Sequence, residues 1–261
     1  MPASPPSPRF LSALASVALS ASLLAATGCC RTTSTPGQGQ GSAPSPCDAE
    51  MVAIDARVCV DAYEATVVEV DDSGAETPHA AHLPVTGMKV RAVSRAGVPP
   101  QGYISQVEAR AACVEAGKRL CTDDEWKVAC GGANEEPYPY GTTLEEGACN
   151  DKAQVSPVNH FFGTAAGPAN YTWEKMNDPR LNQLPGGLAK TGAFPRCRGK
   201  LPIFDMVGNL HEWTETPSMF RGGYYLDTQL HGPGCRYQTS AHMPEYHDYS
   251  TGFRCCKDAR R

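Results

Sequence analysis

Four residues near the end of the chain carry groups that could hold a metal. They are one carboxylate and three imidazoles, namely Asp227, His231, His242 and His247. Two histidines and one carboxylate can form the facial triad of non-haem iron oxygenases. These residues, however, are scattered through a stretch rich in glycine and proline, where histidines are more often plain surface residues. Only Asp227 and His231 are therefore retained, as weak catalytic candidates.

The cysteines offer a second kind of chemistry, because thiolates bind metals and oxidised pairs staple exported domains. The chain has 12 cysteines, and two of them, Cys29 and Cys30, lie in an N-terminal segment described below. The other ten are Cys47, Cys59, Cys113, Cys121, Cys130, Cys149, Cys197, Cys235, Cys255 and Cys256. This even number predicts five disulfides, whereas a zinc site would need paired Cys-x-x-Cys knuckles, which the sequence lacks. The connectivity stays open from the spacing alone.

Four blocks of sequence carry a family resemblance. In chain order they are GKRLCTDDEW (117–126), GNLHEWT (208–214), RGGYY (221–225) and GFRC (252–255). By these blocks the chain resembles the formylglycine-generating enzyme family of sulfatase-modifying factors, and a pattern at Asp61, Tyr63, Glu64 and Thr66 is similar to the family's opening segment. The resemblance implies an α+β, C-type-lectin-like fold that is loop-rich and stapled by disulfides.

The resemblance also implies where catalytic cysteines would lie. The family's oxidase binds copper(I), a soft ion, through two cysteines shortly after the RGG block. Here the first of these positions falls at Asp227, the second falls near His231 or Gly232, and the family's active-site serine falls at Tyr224. We therefore predict that the chain is not a functional formylglycine-generating oxidase, and we expect neither copper nor iron as a cofactor.

Two disulfides follow from the resemblance, which pairs Cys113 with Cys255 and Cys130 with Cys235. The remaining pairs are our inference from the cysteines left over: Cys47 with Cys59, Cys149 with Cys197, and Cys121 with Cys256. The neighbours Cys255 and Cys256 could exchange partners in this scheme.

The GNLHEWT block resembles a structural calcium site of the family. Calcium binds several oxygen ligands at once. The resemblance implies backbone oxygens and one carboxylate as ligands, from Val207, Gly208, Leu210 and Glu212. In the alternative reading Glu212 pairs with a cation and Trp213 is part of the core. A second calcium site of the family starts at an asparagine like Asn150, but its distal aspartate has no clear counterpart, so Asn150 is a doubtful ligand.

Tyrosines are the best hint of a binding surface. Seven of them lie in loop-rich stretches: Tyr138, Tyr140, Tyr224, Tyr225, Tyr237, Tyr246 and Tyr249. Because tyrosine offers an apolar face and a polar tip, exposed tyrosines suit peptide or sugar contact. Tyr224, Tyr225 and Tyr237 are the binding candidates, and packing in a domain with little regular structure explains them equally well. His211 is expected to point outward.

Two helices have clear start signals. Ser105 and Glu108 form a capping box, after which Val107, Ala111 and Val114 recur at helical spacing until Gly117 ends the helix. A second box at 122–125 opens a helix that ends at Gly131, and capping explains Asp123, Asp124 and Glu125 better than catalysis does. Residues 51–54 and 58–63 predict a hairpin tied by Cys47 and Cys59.

The N-terminal segment is read as a targeting signal. Residues 10–26 are apolar and lead into the sequence ATGC at 26–29, so residues 1–28 are predicted to be a lipoprotein signal peptide, with Cys29 as the lipidated residue. Ordinary secretory cleavage is the alternative. Residues 29–46 are rich in Ser, Thr, Pro and Gly, which predicts a flexible linker, and residues 47–261 form one domain.

These observations together predict an exported bacterial lipoprotein in the outer membrane or at the cell surface. The net charge is −5 and the basic residues are scattered, which argues against nucleic acid as a partner. We expect a non-catalytic binding or scaffold module that is held to the membrane by its lipid. Its partner would be an envelope protein, a peptide or a glycan. The alternative is a diverged metal-dependent oxidase or oxygenase with a rebuilt active site.

Overall fold

The computed structural model of the protein describes residues 45–164 and 168–261. The predicted signal peptide, the lipidation residue Cys29 and nearly all of the predicted linker lie outside the described residues. Those from residue 45 onward belong to a single structural unit, built from short helices, short strands and much irregular chain. None of the helices within the described ranges is long and apolar enough to cross a membrane.

Within the described residues the chain forms four α-helices, each of which begins at a serine or threonine N-cap. They are α1 (Gln106–Glu115), α2 (Asp123–Gly131), α3 (Pro157–Phe162) and α4 (Trp173–Met176). At the start of α1 the Ser105 hydroxyl accepts from the Glu108 amide at 3.3 Å, and the Glu108 carboxylate accepts from the Ser105 amide at 2.9 Å. An equivalent pair of bonds begins α2 at Thr122. Gly117 follows α1 with a φ of +66°, so both predicted helices are confirmed.

The buried face of α1 differs from the expected one. Val107 and Val114 are 48% and 62% exposed, and Ala111 is exposed as well. The buried residues of the helix are Gln106, Ala109, Ala112 and Cys113. The small side chains on its buried face let α1 lie close to β5, the strand on which it packs. The larger apolar residues Val107 and Val114 lie on the other face and are exposed to solvent. The helical spacing of the apolar residues therefore predicted the position of α1 correctly, but it did not predict which face of the helix is buried.

In residues 45–164 and 168–261, eleven short strands form three sheets. The strands are β1 (Met51–Ala53), β2 (Val58–Asp61), β3 (Ala65–Val70), β4 (Glu76–Pro78), β5 (Val90–Ser94), β6 (Arg119–Leu120), β7 (His211–Trp213), β8 (Phe220–Arg221), β9 (Gln238–Thr239), β10 (Thr251–Phe253) and β11 (Cys255–Asp258). The strand orders are β1-β2-β11-β6, β4-β3-β5 and β10-β7-β8-β9. All pairs are antiparallel except β7 with β10, where Glu212 lies opposite Gly252. The predicted hairpin corresponds to β1 and β2, which pair in antiparallel register.

Five disulfides join distant parts of the described chain. They link Cys47 to Cys59, Cys113 to Cys255, Cys121 to Cys256, Cys130 to Cys235, and Cys149 to Cys197. These are the predicted pairs, and the neighbours Cys255 and Cys256 do not exchange partners. Six of these cysteines lie in one buried cluster with Trp126 and Val207. The disulfides are therefore part of the core rather than surface staples.

Candidate functional site

Three of the sequence blocks meet at one buried ion pair. Glu212 of β7 accepts two bonds from the Arg254 guanidinium, with Nε at 2.7 Å and Nη2 at 2.6 Å from its oxygens. The indole Nε1 of Trp126, in α2, donates to the same carboxylate at 2.7 Å. All three side chains are essentially inaccessible to solvent. Glu212, Trp126 and Arg254, which belong to three separate sequence blocks, thus form one hydrogen-bonded unit.

This arrangement bears on the calcium prediction. The Glu212 carboxylate is engaged by a guanidinium on both oxygens, so a cation there would have to approach the positive charge of Arg254 and displace its bonds. Glu212 follows the alternative reading, in which it pairs with a cation, and the calcium site remains a prediction for metal analysis. Trp213 is buried, as that reading also requires.

Asn209 connects the GNLHEWT block to two other segments. Its side-chain oxygen accepts from Asn150 Nδ2 at 2.8 Å and from the Ala189 amide at 2.9 Å. Its side-chain nitrogen donates to Glu64, which also accepts from the Leu210 amide at 3.0 Å. Asn209 has a φ of +57°, which asparagine tolerates better than most residues. Asn150, the doubtful calcium ligand, is here a buried hydrogen-bond donor to Asn209.

Buried carboxylates outnumber the buried cations around Arg254. Burial, together with the negative charges of Asp205 and Glu212, holds the pKa of Glu64 well above its usual range. Burial likewise raises the pKa of Asp205 to about 6, although the Gly192 amide donates to its carboxylate. Sequence reasoning noted Glu64 only as part of a family pattern and missed Asp205, because no local motif marks either residue as buried.

Two glycines of the blocks are required by close backbone contacts. Gly208 has a φ of +78°, and a Cβ atom there would lie 2.1 Å from the Asn150 carbonyl oxygen. Gly223 has a φ of +72°, and a Cβ there would lie 2.3 Å from the Asp227 carbonyl oxygen. No side chain fits at either position. The glycines of the GNLHEWT and RGGYY blocks are therefore explained by places beside the candidate site where two backbone segments lie in close contact.

The positions to which the sequence resemblance assigns the family's active-site serine and first catalytic cysteine form a tight turn in this chain. Tyr224 and Asp227 exchange backbone hydrogen bonds of 2.9 and 3.0 Å. One Asp227 carboxylate oxygen accepts from the amides of Gln229 and Leu230 at 2.9 and 3.0 Å, and the other accepts from the Tyr237 hydroxyl at 3.2 Å. Asp227 is thus a turn-capping residue in this structure.

The three candidate histidines do not converge with Asp227. His231 packs edge-on against Tyr237, His242 stacks on Tyr246 at 3.7 Å between ring centroids, and His247 is bonded to Asn177 at 2.7 Å. In the part of the chain that the structure describes, no three His, Cys, Asp or Glu side chains are grouped as metal ligands. The facial triad considered from the sequence is therefore not assembled.

His211 is buried, which corrects the expectation that it points outward. Its ring lies 4.7 to 5.4 Å from the rings of Phe220, Tyr224 and Tyr237. Burial lowers its pKa to about 3, so the imidazole is neutral, and its Nδ1 atom has no hydrogen-bond partner among the described residues. The physical reason is strand alternation, since His211 begins β7 on the side of the sheet that the aromatic rings cover.

Most of the seven tyrosines are also buried rather than exposed. Tyr225 and Tyr237 are 0% and 3% exposed, Tyr224 is half-buried, and Tyr138 and Tyr249 are buried as well. In a domain with so little regular structure, aromatic rings fill the space between loops. The exposed side chains at the tip of the turn after Asp227 are instead Gln229, Leu230 and His231. None of them was chosen from the sequence as a binding residue.

The chain belongs to the family of sulfatase-modifying factor enzyme 1-like domains, whose model matches residues 48–259. The domain accordingly has the loop-rich α+β, C-type-lectin-like fold of formylglycine-generating enzymes, with five disulfides. This match agrees with the family resemblance of the four sequence blocks.

Curated relatives fall into two groups. The chain is 28% identical over 174 residues to the inactive C-alpha-formylglycine-generating enzyme 2 of Bos taurus, covering 62% of this chain and 51% of that protein. It is 30% identical over 185 residues to the formylglycine-generating enzyme of Bos taurus, covering 61% and 44%. The chain thus spans about half the length of the curated relatives it matches. Among solved structures, PvdO from Pseudomonas aeruginosa matches 83% of this chain and 100% of its own, at 10% identity and a TM-score of 0.43.

Proposed function

We propose that this chain is an exported, lipid-anchored binding or scaffold module of the bacterial cell envelope and does not itself catalyse formylglycine formation. The observation that carries the proposal is the state of the cysteines. All ten cysteines of the described residues are in disulfides, so none of them offers a thiolate to copper(I). The existence of inactive members among its relatives makes a non-catalytic role consistent with the family.

The turn that begins at Tyr224 and Asp227 supports a binding role. Where the family has its first catalytic cysteine, Asp227 holds the backbone of the following residues, and Cys235 anchors the far end of the turn to Cys130. Leu230 at the tip is 78% exposed, the largest exposure among the large apolar side chains of the described residues. A rigid turn that presents an apolar side chain loses little entropy on binding. We therefore place the partner-binding surface at residues 224–234, for an envelope protein, a peptide or a glycan.

The first test is metal analysis of the full-length oxidised protein by native mass spectrometry, before and after mild chelation. We expect no stoichiometric copper or iron, and calcium content reports on the predicted structural site. Asp227→Ala should leave the metal content unchanged. The control is Asp72→Ala, at an exposed aspartate that is distant from Asp227 in sequence, and it should also leave the metal content unchanged. Stoichiometric copper or iron that is lost only in Asp227→Ala would establish the alternative, a metal-dependent oxidase with a rebuilt site.

The second test addresses binding at the turn. A photoreactive amino acid at Leu230 should form a covalent adduct with one envelope component in intact cells. The same group at Leu201, an apolar side chain that is 37% exposed, serves as the control and should not form that adduct. Equal adducts from both positions, or none from Leu230, would contradict the assignment of the surface. Fractionation of the same cells reports whether the protein is membrane-bound, and Cys29→Ser should release it.

A further inference from the structure

A small polar cleft lies beside the Cys130–Cys235 disulfide, where residues of α2, β8 and β9 come together. Its volume is about 270 Å³, at the small end of ligand pockets, so it suits a small molecule. None of its lining residues belongs to the turn at 224–234. Apart from Cys235 the lining is polar or charged, and it consists of Lys127, Glu135, Glu136, Arg221, Arg236 and Gln238.

Arg221 supplies a fixed guanidinium to the cleft. Its Nε and Nη2 atoms donate to the Asp123 carboxylate, and Nη2 also donates to Gln238 Oε1 at 2.9 Å, so the buried side chain is held in one orientation. Its Nη1 atom has no acceptor among the described residues. Because Gln101 Oε1 and His211 Nδ1 are the only buried partnerless side-chain atoms of those residues, Arg221 Nη1 is accessible from the cleft. A donor fixed in this way costs little entropy when it binds an anionic group.

Arg236 adds a second guanidinium, which is exposed to solvent. Its Nη2 atom donates to the Glu135 backbone oxygen at 3.2 Å, but within the described residues it pairs with no carboxylate. Lys127, the third cation of the lining, is already paired with Asp124 at 2.6 Å. Arg221 and Arg236 are therefore the two groups that can take up a carboxylate, whose planar geometry guanidinium donors match.

Two carboxylates line the same cleft and have no partner within the described residues. Glu135 and Glu136 form no ion pair there, and neither carboxylate accepts a hydrogen bond from that part of the chain. Their segment is held tightly, since the Glu136 amide donates to the Gly131 oxygen at 2.9 Å and a Cβ at Gly131 would lie 2.4 Å from the Glu136 oxygen. Glu135 also has a φ of +51°, which few residues other than glycine adopt. The cleft thus presents unpaired negative groups beside its guanidinium groups.

We infer that this cleft binds a small zwitterion, namely a free amino acid with a small side chain. Its carboxylate would lie on Arg221 and Arg236, and its ammonium group on Glu135 and Glu136. A simple anion is repelled by the two glutamates and a simple cation by the two arginines, whereas a zwitterion satisfies both pairs. The inference does not depend on the proposed binding function, because the cleft and the turn at 224–234 share no residue.

Calorimetric titration of the full-length oxidised protein in a mild detergent tests the ligand class. The probes are glycine, alanine and serine, each compared with its N-acetyl derivative, which lacks the positive charge, and with its amide, which lacks the negative charge. We expect at least one free amino acid to bind, and both of its blocked derivatives to bind at least about tenfold more weakly, because each leaves one pair of charged groups unsatisfied. No binding by any of the three, or equal binding of a free amino acid and its derivatives, would overturn the inference.

Variants of the lining test the place of binding. Arg236→Gln removes an exposed guanidinium and should weaken binding of the free amino acid at least about tenfold. Glu136→Gln should weaken the free amino acid more than its N-acetyl derivative, which has no ammonium group. Arg95→Gln, at an exposed arginine outside the cleft, is the matched control and should leave the affinity unchanged.

Unchanged circular dichroism and full oxidation establish that the three variants fold. An affinity that Arg236→Gln leaves intact, or that Arg95→Gln lowers equally, would show that the amino acid binds elsewhere and would overturn the inference. A Glu136→Gln variant that weakens the free amino acid and its N-acetyl derivative equally would overturn the assignment of the ammonium group to the glutamates.

Discussion

At the scale of single residues, Arg254 has the most extensive role in the domain. Besides Glu212, it donates to the backbone oxygens of Asp61 and Phe204 at 3.1 and 2.8 Å. One guanidinium therefore satisfies groups from three distant segments in a region where several carboxylates are buried. Buried ion pairs add little when compared with well-packed apolar groups, but removing one partner leaves the other charge unpaired.

Arg254→Met should destabilise the domain strongly. We expect the free energy of unfolding to fall by about 3 to 5 kcal/mol, because Glu212 loses its partner while Glu64 and Asp205 remain buried nearby. Chemical denaturation of the oxidised protein measures this change. Arg57→Met is the control, since its side chain is 87% exposed and its pair with Asp55 is 3.7 Å long. That variant should change stability by less than about 0.5 kcal/mol, and equal losses would contradict a special role for Arg254.

His211→Phe should make the protein more resistant to acid. In the folded state the pKa of His211 is lowered to about 3, against an ordinary value of 6.5, so between these values the unfolded chain binds a proton that the folded chain does not. Stability is therefore lost as the pH falls below 6.5. Phenylalanine suits the surrounding rings and cannot be protonated.

The gain from His211→Phe should be larger by about 2 to 3 kcal/mol at pH of about 4.5 than at neutral pH. Denaturation curves at both pH values measure it. The control is His231→Phe, at an exposed histidine, which measures the effect of removing an imidazole from the surface. A gain that is independent of pH would show that His211 is not the group responsible.

Local sequence could locate these residues but not their environment. Glu212, Asn209 and Arg254 were all recognised as parts of blocks, yet they contact residues of distant segments. Glu212 and Arg254 are 42 residues apart, and Asn209 is 145 residues from Glu64. The local helix and strand periodicity of the sequence contains no information about a contact over such a distance. The same limit explains why the sequence could not decide between surface binding and packing for Tyr225 and Tyr237, because burial in a loop-rich domain depends on which loops cross.

At the scale of elements, helix ends were predictable because their signals are local. The boxes at Ser105 and Thr122 lie within four residues of sequence, and both formed as expected. The orientation of α1 was not predictable, since its apolar residues face outward and small residues face inward. Strand pairing was recognised only for the hairpin of β1 and β2, whose strands are close in sequence.

Thr122→Ala should cost about 1 kcal/mol of stability, because the Glu125 amide at the start of α2 loses its acceptor. Thermal or chemical denaturation measures the loss. Thr143→Ala, at an exposed threonine outside the helices, provides the comparison and should be nearly neutral. If both changes had the same effect, the cap would not be a source of helix stability here.

At the scale of the whole molecule, the disulfides hold together a fold with few regular elements. The Cys113–Cys255 bond closes a loop of 142 residues, whereas Cys47–Cys59 closes one of 12. In the chain-entropy model, longer loops restrict the unfolded state more. Two of the pairings followed from the family resemblance, whereas the six cysteines that remained still allow 15 connectivities, so spacing alone could not settle the other three pairs.

Removal of the long-loop disulfide should therefore be the more damaging change. In this model loop closure contributes about 5 kcal/mol to the free energy of unfolding for Cys113–Cys255 and about 3 kcal/mol for Cys47–Cys59. The free energy of unfolding should therefore fall by about 2 kcal/mol more in Cys113→Ala/Cys255→Ala than in Cys47→Ala/Cys59→Ala. Both pairs are buried, which makes the comparison fair in terms of lost packing. Chemical denaturation of the two double variants decides the matter, and a reversed order would mean that native packing outweighs loop closure.

The position of β11 inside its sheet has a consequence for biosynthesis. β11 lies between β2 and β6, although it is the last of the described strands to leave the ribosome, and it carries Cys255 and Cys256. Until it emerges, Cys113 and Cys121 have no native partner, while Cys130 and Cys149 are already available for wrong pairing. We therefore expect newly made chains to need thiol–disulfide exchange, which replaces any early mismatched pair with the native one.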